Sequence, residues 1–341
     1  MTRTPRGRIA ALYTLLLLAN ASAWIWALCL FRDRPVLLGT ALLAYGFGLR
    51  HAVDADHVAA IDNVTRKLVQ AGKQPVSIGF FFALGHSAVV ILATAGIAAS
   101  ATALASRFDT FKTIGGMVGT LVSTVFLLLI AAMNLGVLRE IWRTIRRVRR
   151  GGGFDEQDYD VLLNSRGLLA RLFRPAFRLV TSGWHMFPLG FLFGLGFDTA
   201  TEVGLLGLSA TQAAQGLPIW SIMVFPALFA AGMSLIDTTD GVLMLGAYNW
   251  AFVNPMRKLT YNLVITAVSV VVAVLIGGIE GLGLVAGELG LTGRFWRGIG
   301  VLNDNFNNLG FAIIGLFVVA WAIAVVAYRY AGLGSPATKT E

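Results

Sequence analysis

Eight long apolar segments divide the chain, and they constrain its fold more than any other feature of the sequence. A helix needs about 20 predominantly apolar residues to cross a bilayer. Only 13% of the residues are charged, against roughly 25% in an average soluble domain. The segments cover residues 9–31, 35–62, 76–101, 113–138, 185–212, 219–247, 258–283 and 309–331. The sequence therefore predicts an all-α polytopic membrane protein with about eight transmembrane helices.

The distribution of basic residues predicts how these spans are oriented. With both termini inside, twenty of the 27 Lys and Arg residues lie in inner segments, six lie in outer loops, and Arg50 lies within a span. Basic residues concentrate in cytoplasmic loops, so we expect a cytoplasmic (inner) membrane protein with both termini in the cytoplasm. The net charge of +9 does not indicate nucleic-acid binding, because these residues fall in short loops between apolar segments.

The segments also predict how the chain is divided. We expect spans one to four in residues 1–138, a cytoplasmic loop in 139–184, spans five to eight in 185–331, and a cytoplasmic tail in 332–341. The loop is basic, then glycine-rich, then acidic. A connector that fixes topology is the favoured interpretation, and a lipid-binding or regulatory segment is the alternative.

Two pairs of short segments indicate an internal repeat. "FGLRH" at 47 is followed by "FALGHS" at 82, and "FGLGF" at 193 is followed by "FAAGMS" at 229. In the predicted topology, spans two and five run in opposite directions. The pattern therefore predicts an inverted repeat of three helices, spans 2–4 against spans 5–7, with a substrate site at the interface of the repeats near the bilayer midplane.

Ionisable side chains inside the spans are the candidates for function, because each costs several kcal/mol in a bilayer. Imidazole together with carboxylate suits nickel, cobalt, zinc or copper better than magnesium or calcium. The sequence thus predicts a pathway for a transition-metal ion. The candidate residues are His51, Asp54, Asp56, His57 and Asp62 in span two, His86 in span three, Asp198 and Glu202 in span five, and Asp237 and Asp240 in span six.

A regular helix would not bring the residues of span two to one ion. At about 1.5 Å and 100° per residue, His57 lies about 9 Å beyond His51 along the axis, and Asp56 points nearly opposite to His51. Either the helix is broken near Asp54–Asp56, or other spans complete the site. A short, interrupted segment is typical of discontinuous transport helices.

Several of these residues also have a structural interpretation. Asp54 is placed to pair with Arg50, and Asp62, about 16 Å from His51 along a regular helix, is placed to pair with Arg66. The carboxylates of spans five and six fit helix caps or interhelical struts as well as ligands. His86 fits a hydrogen bond between helices as well as a metal ligand.

The polar motifs, taken together, resemble the nickel–cobalt transporter family. The hallmark of that family is a histidine, four residues, aspartate and histidine, which His51, Asp56 and His57 match here. The motifs occur in the family's order and cover nearly the whole transmembrane part. They are "RHAVDADHVAAIDNVTRKL" at 50, "FFALGHS" at 81, "LGFDTATEVGLLG" at 195, "GMSLIDTTDGVLM" at 232 and "NPMRKLTYNLVIT" at 254.

This resemblance implies high-affinity uptake of nickel or cobalt by a single polypeptide with eight spans. It also implies that the histidines and aspartates of span two handle the metal, with contributions from the motifs of spans five and six. Nickel, and cobalt with it, is expected as the transported substrate rather than as a cofactor, and no cofactor is predicted. The sequence contains no G-x-x-x-x-G-K-[ST] motif, so no nucleotide-binding motif supplies energy. It carries no prediction of oligomeric state.

Three other functions were weighed against metal uptake. The first is nickel or cobalt efflux, which the absence of histidine from the 139–184 loop disfavours. The second is an intramembrane hydrolase, but H-E-x-x-H and G-x-S-x-G are absent from the sequence, and the chain is not expected to be an enzyme. The third, a structural scaffold, leaves the cost of the span-two charges unexplained.

Overall fold

The computed structural model of the chain describes residues 5–99, 105–149, 180–195, 200–251, 255–305 and 308–316, together with residue 319. Within these ranges every regular element is helical. The helices are α1 (Pro5–Phe31), α2 (Pro35–His51), α3 (Ala55–Gln70), α4 (Ile78–Ala99), α5 (Ala105–Arg149), α6 (Met186–Gly194), α7 (Ala200–Ala214), α8 (Ile219–Ile222), α9 (Val224–Ala251), α10 (Pro255–Leu289) and α11 (Arg294–Asp304). The all-α prediction is confirmed for the described part of the chain.

Six of the eight predicted spans correspond to helices that are long and apolar enough to cross a membrane. Five are single stretches: Pro5–Phe31, Ile78–Ala99, Met117–Gly136, Ile219–Asn249 and Thr266–Leu289; the sixth is the bent pair α2 and α3. The predicted fifth span contains α6 and α7, which flank the undescribed residues 196–199, and most of the predicted eighth span lies outside the described ranges. The helices support a multi-pass membrane protein, and the count of eight stays a prediction.

Helix α5 is longer than the sequence predicts. It continues to Arg149, past the predicted end of span four at residue 138. Arg143 and Arg146 are exposed on this extension, and the Arg146 guanidinium lies 5.4 Å from the centre of the Trp142 ring. The predicted loop at 139–184 therefore begins as helix. Most of its remainder, and the 332–341 tail, fall outside the described residues.

The second predicted span is interrupted after His51. Helices α2 and α3 meet at an angle of 50°, and residues Ala52–Asp54 form the turn between them. Asp54 adopts an extended backbone at the start of α3, a position that aspartate favours. Asp56 lies in the first turn of α3 and His51 in the last turn of α2, where the helix dipoles favour acidic and basic groups, respectively. The local sequence thus stabilises two helix ends in mid-span.

Glycine residues allow neighbouring helices to pack backbone against backbone. A side chain at Gly48 of α2 would overlap the carbonyl oxygen of Phe229 on α9, and one at Gly85 of α4 would overlap that of Phe187 on α6. Membrane helices associate largely through such close packing between small residues. Helices α2 and α9, and likewise helices α4 and α6, therefore form tightly packed pairs.

Helices α4 and α6 run in the same direction. Gly190 of α6 lies against Phe82 of α4, and Gly194, one turn later, lies against His86, one turn beyond Phe82. Helix α1 packs on the outside of α9 and α2. There Asn20 donates to the Ala231 carbonyl at 3.2 Å and accepts a hydrogen bond from the Tyr45 hydroxyl at 3.0 Å.

Replacing Gly48 by alanine should destabilise the protein, whereas replacing Gly46 should not. The new methyl group at residue 48 meets the Phe229 carbonyl, while nothing lies within 4 Å of one at residue 46. Overpacking of this kind costs about 1–3 kcal/mol, and Gly46→Ala should gain helix propensity instead. Thermal unfolding of the two purified variants in detergent measures the difference. Equal midpoints would contradict the close packing of α2 on α9.

Candidate metal site

Three buried imidazoles meet where the two halves of the second span separate. His51 is the last residue of α2, His57 lies in the first turn of α3, and His86 lies in α4. Their ring centroids are 4.7 Å apart in all three pairs. One ligand nitrogen from each histidine lies within 4.8 Å of the others. These three side chains form the group of potential metal ligands found in the described part of the chain.

The interruption of the helix and the contribution of other spans both explain this convergence. The bend after His51 brings His57 back towards it, which a regular helix would prevent. His86 then completes the group from α4. Both alternatives that the sequence left open, a broken helix and a contribution from other spans, are therefore present.

The distance between two of these nitrogens matches that between ligands of one ion. Nε2 of His51 lies 2.9 Å from Nε2 of His86. Two nitrogen atoms bound at about 2.05 Å, the length of an imidazole–zinc bond, lie about 2.9 Å apart when they subtend a right angle at the ion. Oε1 of Glu202, on α7, is 2.8 Å from the same His86 nitrogen and 3.8 Å from that of His51. The Glu202 carboxylate is thus placed to add a fourth donor.

Two further carboxylates contact the Nδ1 atoms of His51 and His57 and orient these rings. Nδ1 of His51 lies 2.7 Å from Oδ2 of Asp54, and Nδ1 of His57 lies 3.3 Å from Oδ2 of Asp237 on α9. A carboxylate at one ring nitrogen fixes the tautomer and leaves the other nitrogen for a metal. Nε2 of His57 accordingly has no hydrogen-bond partner among the residues that the structure describes.

Aromatic rings form an apolar wall around the histidines. The Phe82 ring lies 4.8 Å from that of His57 and perpendicular to it, and the Phe229 ring lies 5.5 Å from that of His51. All three histidines are at most 3% exposed. An apolar shell limits the access of water and strengthens the electrostatic interactions of the groups inside it.

Four predicted site residues remain: Asp56, Asp62, Asp240 and Asp198. Asp56 is partly exposed and forms no hydrogen bond or ion pair with the three histidines in the described structure. Asp62 is buried and accepts hydrogen bonds from Tyr248 and Ser269. Asp240 adjoins Asp237 on α9, and Asp198 lies outside the described residues. The role of these four aspartates in metal binding stays a prediction.

Other buried polar residues were not among the predicted site residues. Glu280 of α10 is 3% exposed and accepts a hydrogen bond from Ser123 of α5 at 2.7 Å. Glu280 could have been identified from the sequence, because it is an acidic residue inside an apolar segment. The same signal identified Asp237. Tyr248 and Ser269 gave no such signal, because uncharged hydroxyls are common in membrane helices.

Comparison with known proteins identifies the family. Residues 37–327 match the family described as "High-affinity nickel-transport protein". The chain belongs to this family. The match includes both halves of the interrupted span and all three histidines, so the site lies within the part that defines the nickel-transport family. Members of the family are transporters and not enzymes, which agrees with the prediction from the sequence.

Relatives within the nickel-transport family are similar over most of their length. A "High-affinity nickel transport protein" of Cupriavidus necator is 60% identical over 328 residues, which are 96% of this chain and 93% of the relative. The "Nickel transporter NixA" of Staphylococcus aureus is 47% identical over 88% of each chain. The "Cobalt transport protein NhlF" of Rhodococcus rhodochrous is 42% identical over 85% of this chain and 82% of the relative. No solved structure matches the chain significantly.

Loss of any one of the three clustered histidines should weaken metal binding, and loss of the fourth histidine should not. His185 lies apart, where its Nδ1 accepts a hydrogen bond from the Thr181 amide at 3.0 Å. Imidazole binds divalent nickel and cobalt well, so equilibrium dialysis of purified protein against Ni²⁺ is the measurement. We expect His51→Ala, His57→Ala and His86→Ala each to lower the affinity at least about tenfold, which is about 1.4 kcal/mol, and His185→Ala to bind as the parent does. Equal losses in all four variants would contradict the site.

Neutralising Asp237 should weaken metal binding without removing a ligand of the ion. Asp237 is fully buried and contacts Nδ1 of His57, so Asp237→Asn keeps the shape and removes the charge. Loss of such a partner typically lowers metal affinity about 10–100-fold. Asp33→Asn, at an exposed residue, is the matched control for loss of one carboxylate charge. An unchanged dissociation constant in Asp237→Asn would show that Asp237 does not support His57.

Proposed function

We propose that this chain carries Ni²⁺, with Co²⁺ as a second substrate, into the cytoplasm as a single-component secondary permease of the inner membrane. The observation that carries the proposal is the convergence of three buried imidazoles at the break in the second span. Membership in the nickel-transport family supports it, as do the names of the relatives, most of which refer to nickel and one to cobalt.

The ligands perform the step that a bilayer makes difficult, which is removal of water from the ion. Imidazole nitrogens from His51, His57 and His86 replace part of the hydration shell, and Glu202 supplies an anionic oxygen. The carboxylates of Asp54 and Asp237 offset the positive charge in a region of low dielectric, where an uncompensated ion costs most. The buried site therefore accepts a divalent cation that bare apolar helices would reject.

The membrane potential is sufficient to drive the ion inward. A divalent cation gains about 4.6 kcal/mol per 100 mV on moving to the negative side, twice the value for a unit charge. Electrical driving of this kind fits a chain whose sequence contains no P-loop motif.

The donor set favours nickel over cobalt only moderately. Affinity for nitrogen and oxygen ligands rises from Co²⁺ to Ni²⁺ in the series of divalent metals. Both ions suit imidazole, so three histidines with one carboxylate discriminate by affinity and not by exclusion. We therefore expect cobalt to compete for nickel uptake, but to require a higher concentration.

We further propose that spans 2–4 and 5–7 form an inverted repeat with both termini in the cytoplasm. Close packing between the two repeats supports it. The corresponding glycines Gly85 and Gly232 each lie against a backbone carbonyl of the other repeat, that of Phe187 in α6 and that of Tyr45 in α2, respectively. The parallel course of α4 and α6 agrees with a topology in which spans three and five both run outward.

Uptake of trace radioactive nickel tests the proposed function directly. Cells that express the chain should accumulate nickel, and cells that express His57→Ala at equal membrane abundance should not, because the ion then loses one of its ligands. Excess cobalt should reduce the uptake by the parent. His185→Ala, expressed to the same level, is the control for replacement of a histidine outside the site.

The same assay separates import from export. Import predicts that expression raises cellular nickel and makes cells more sensitive to it. Lower cellular nickel and greater resistance, both abolished by His57→Ala, would keep the metal site and reverse the direction. Unchanged nickel in cells with abundant protein would contradict transport altogether.

A further inference from the structure

A second group of buried charges lies farther along α3, beyond the three histidines. Asp62 and Arg66 are both fully buried, and residues four apart lie on one face of a helix. Asp62 accepts a hydrogen bond from the Tyr248 hydroxyl of α9 and another from the Ser269 hydroxyl of α10 at 2.9 Å. Three helices thus meet around one carboxylate, about 7.5 Å beyond His57 along α3.

The Arg66 guanidinium in this group is only partly satisfied. Its Nη2 donates to Oδ1 of Asn63 at 3.0 Å, and Asn134 donates to the same oxygen at 2.7 Å. Within the described residues, Nε and Nη1 have no hydrogen-bond partner, and the ion pairs found there all involve histidine and do not include Arg66. A buried cation without direct contact to a carboxylate is costly, so its position requires an explanation other than stability.

Asp240 completes the group from α9. Its Oδ2 is buried and has no hydrogen-bond partner in the part of the chain that the structure describes. Gly241, the residue after Asp240, lies against the side chain of Ile61, the residue before Asp62. Asp240 interacts electrostatically with Asp62 and with Asp237, and Arg66 interacts in the same way with Asp62. Buried carboxylates therefore lead from Asp237, beside the histidines, through Asp240 to Asp62, and a fixed positive charge stands next to the last of them.

We propose that Asp62 and Asp240 form a second, transient station for the transported divalent cation, and that Arg66 keeps this station weak. The inference rests on the proposed import of nickel. Two carboxylates in a region of low dielectric attract a divalent cation strongly. Conduction requires binding that is favourable enough for entry and weak enough for exit. A guanidinium held beside the carboxylates repels the ion and supplies this weakness.

The hydrogen bonds around the station fit this role. Asn63, itself held by Asn134, fixes the guanidinium beside Asp62. A carboxylate partner would neutralise the guanidinium, whereas the amide of Asn63 does not. Tyr248 and Ser269 hold the Asp62 carboxylate in place. In the predicted orientation α3 runs towards the cytoplasm, so the station lies between the histidines and the inner surface, where an ion is released.

Nickel stoichiometry of purified full-length protein tests the proposal. Under equilibrium dialysis with radioactive nickel, the parent should bind one ion per chain at concentrations that saturate the histidines. Arg66→Gln should bind a second ion at least tenfold more tightly than the parent does, and nickel uptake in cells should be at least threefold slower because release is delayed. Arg66→Lys, which keeps the charge, should resemble the parent. The double variant Arg66→Gln with Asp240→Asn should return to one ion.

The outcomes distinguish this proposal from the proposed function. If the folded Arg66→Gln protein and the parent both bind one ion per chain, the second station is overturned and the histidine site stays intact. No nickel bound by the parent would instead overturn the metal site on which the function depends. If Arg66→Gln does not reach the membrane, Asp240→Asn alone decides: slower uptake with unchanged affinity at the histidine site supports the station, and unchanged uptake overturns it.

Discussion

A regular helix cannot bring two side chains six residues apart to one ion, and the whole site depends on how this chain avoids that limit. His51 and His57 would lie about 9 Å apart along an unbroken axis, yet their rings lie 4.7 Å apart. The turn at Ala52–Asp54 makes the difference. Because backbone groups left unpaired in a membrane must be shielded from lipid, such a turn requires neighbours, and Gly310 lies directly against the Val53 carbonyl.

Charge compensation is local throughout the site. His51 has Asp54, His57 has Asp237 and His86 has Glu202, so each imidazole contacts a carboxylate of its own. The three carboxylates come from three different places, the turn before α3, α7 and α9, and only Asp54 belongs to the same predicted span as its histidine. Binding of a metal ion to the three imidazoles therefore joins α2, α3 and α4 through their polar groups.

The sequence predicts the class of the fold and much of the site, for physical reasons that differ between residues. Apolar length predicts six of the membrane helices, and a charged residue within such a length identifies His51, His57, His86, Glu202 and Asp237. A break was one of the two alternatives expected, because the helical positions of these residues were incompatible with one ion. Which carboxylate contacts which histidine could not be predicted, since that depends on helix packing set by glycines far apart in the sequence, such as the contact of Gly48 with Phe229. Tyr248 and Ser269 were missed because a hydroxyl carries no cost that marks it as unusual.

The contact between Gly79 and Asp237 has a mechanical consequence. There the backbone of α4 touches the backbone of α9, so the α4–α6 pair and the α2–α9 pair are in direct contact. Backbones already in contact cannot move closer, but they can rotate about the point where they touch, which then acts as a fulcrum. The side chain of Asp237 and its partner His57 lie close to that fulcrum, whereas His86 lies about 10 Å farther along α4. A small rotation would therefore preserve the contact between His57 and Asp237. The same rotation would separate His86 from His51 and so open the site on the side of α4.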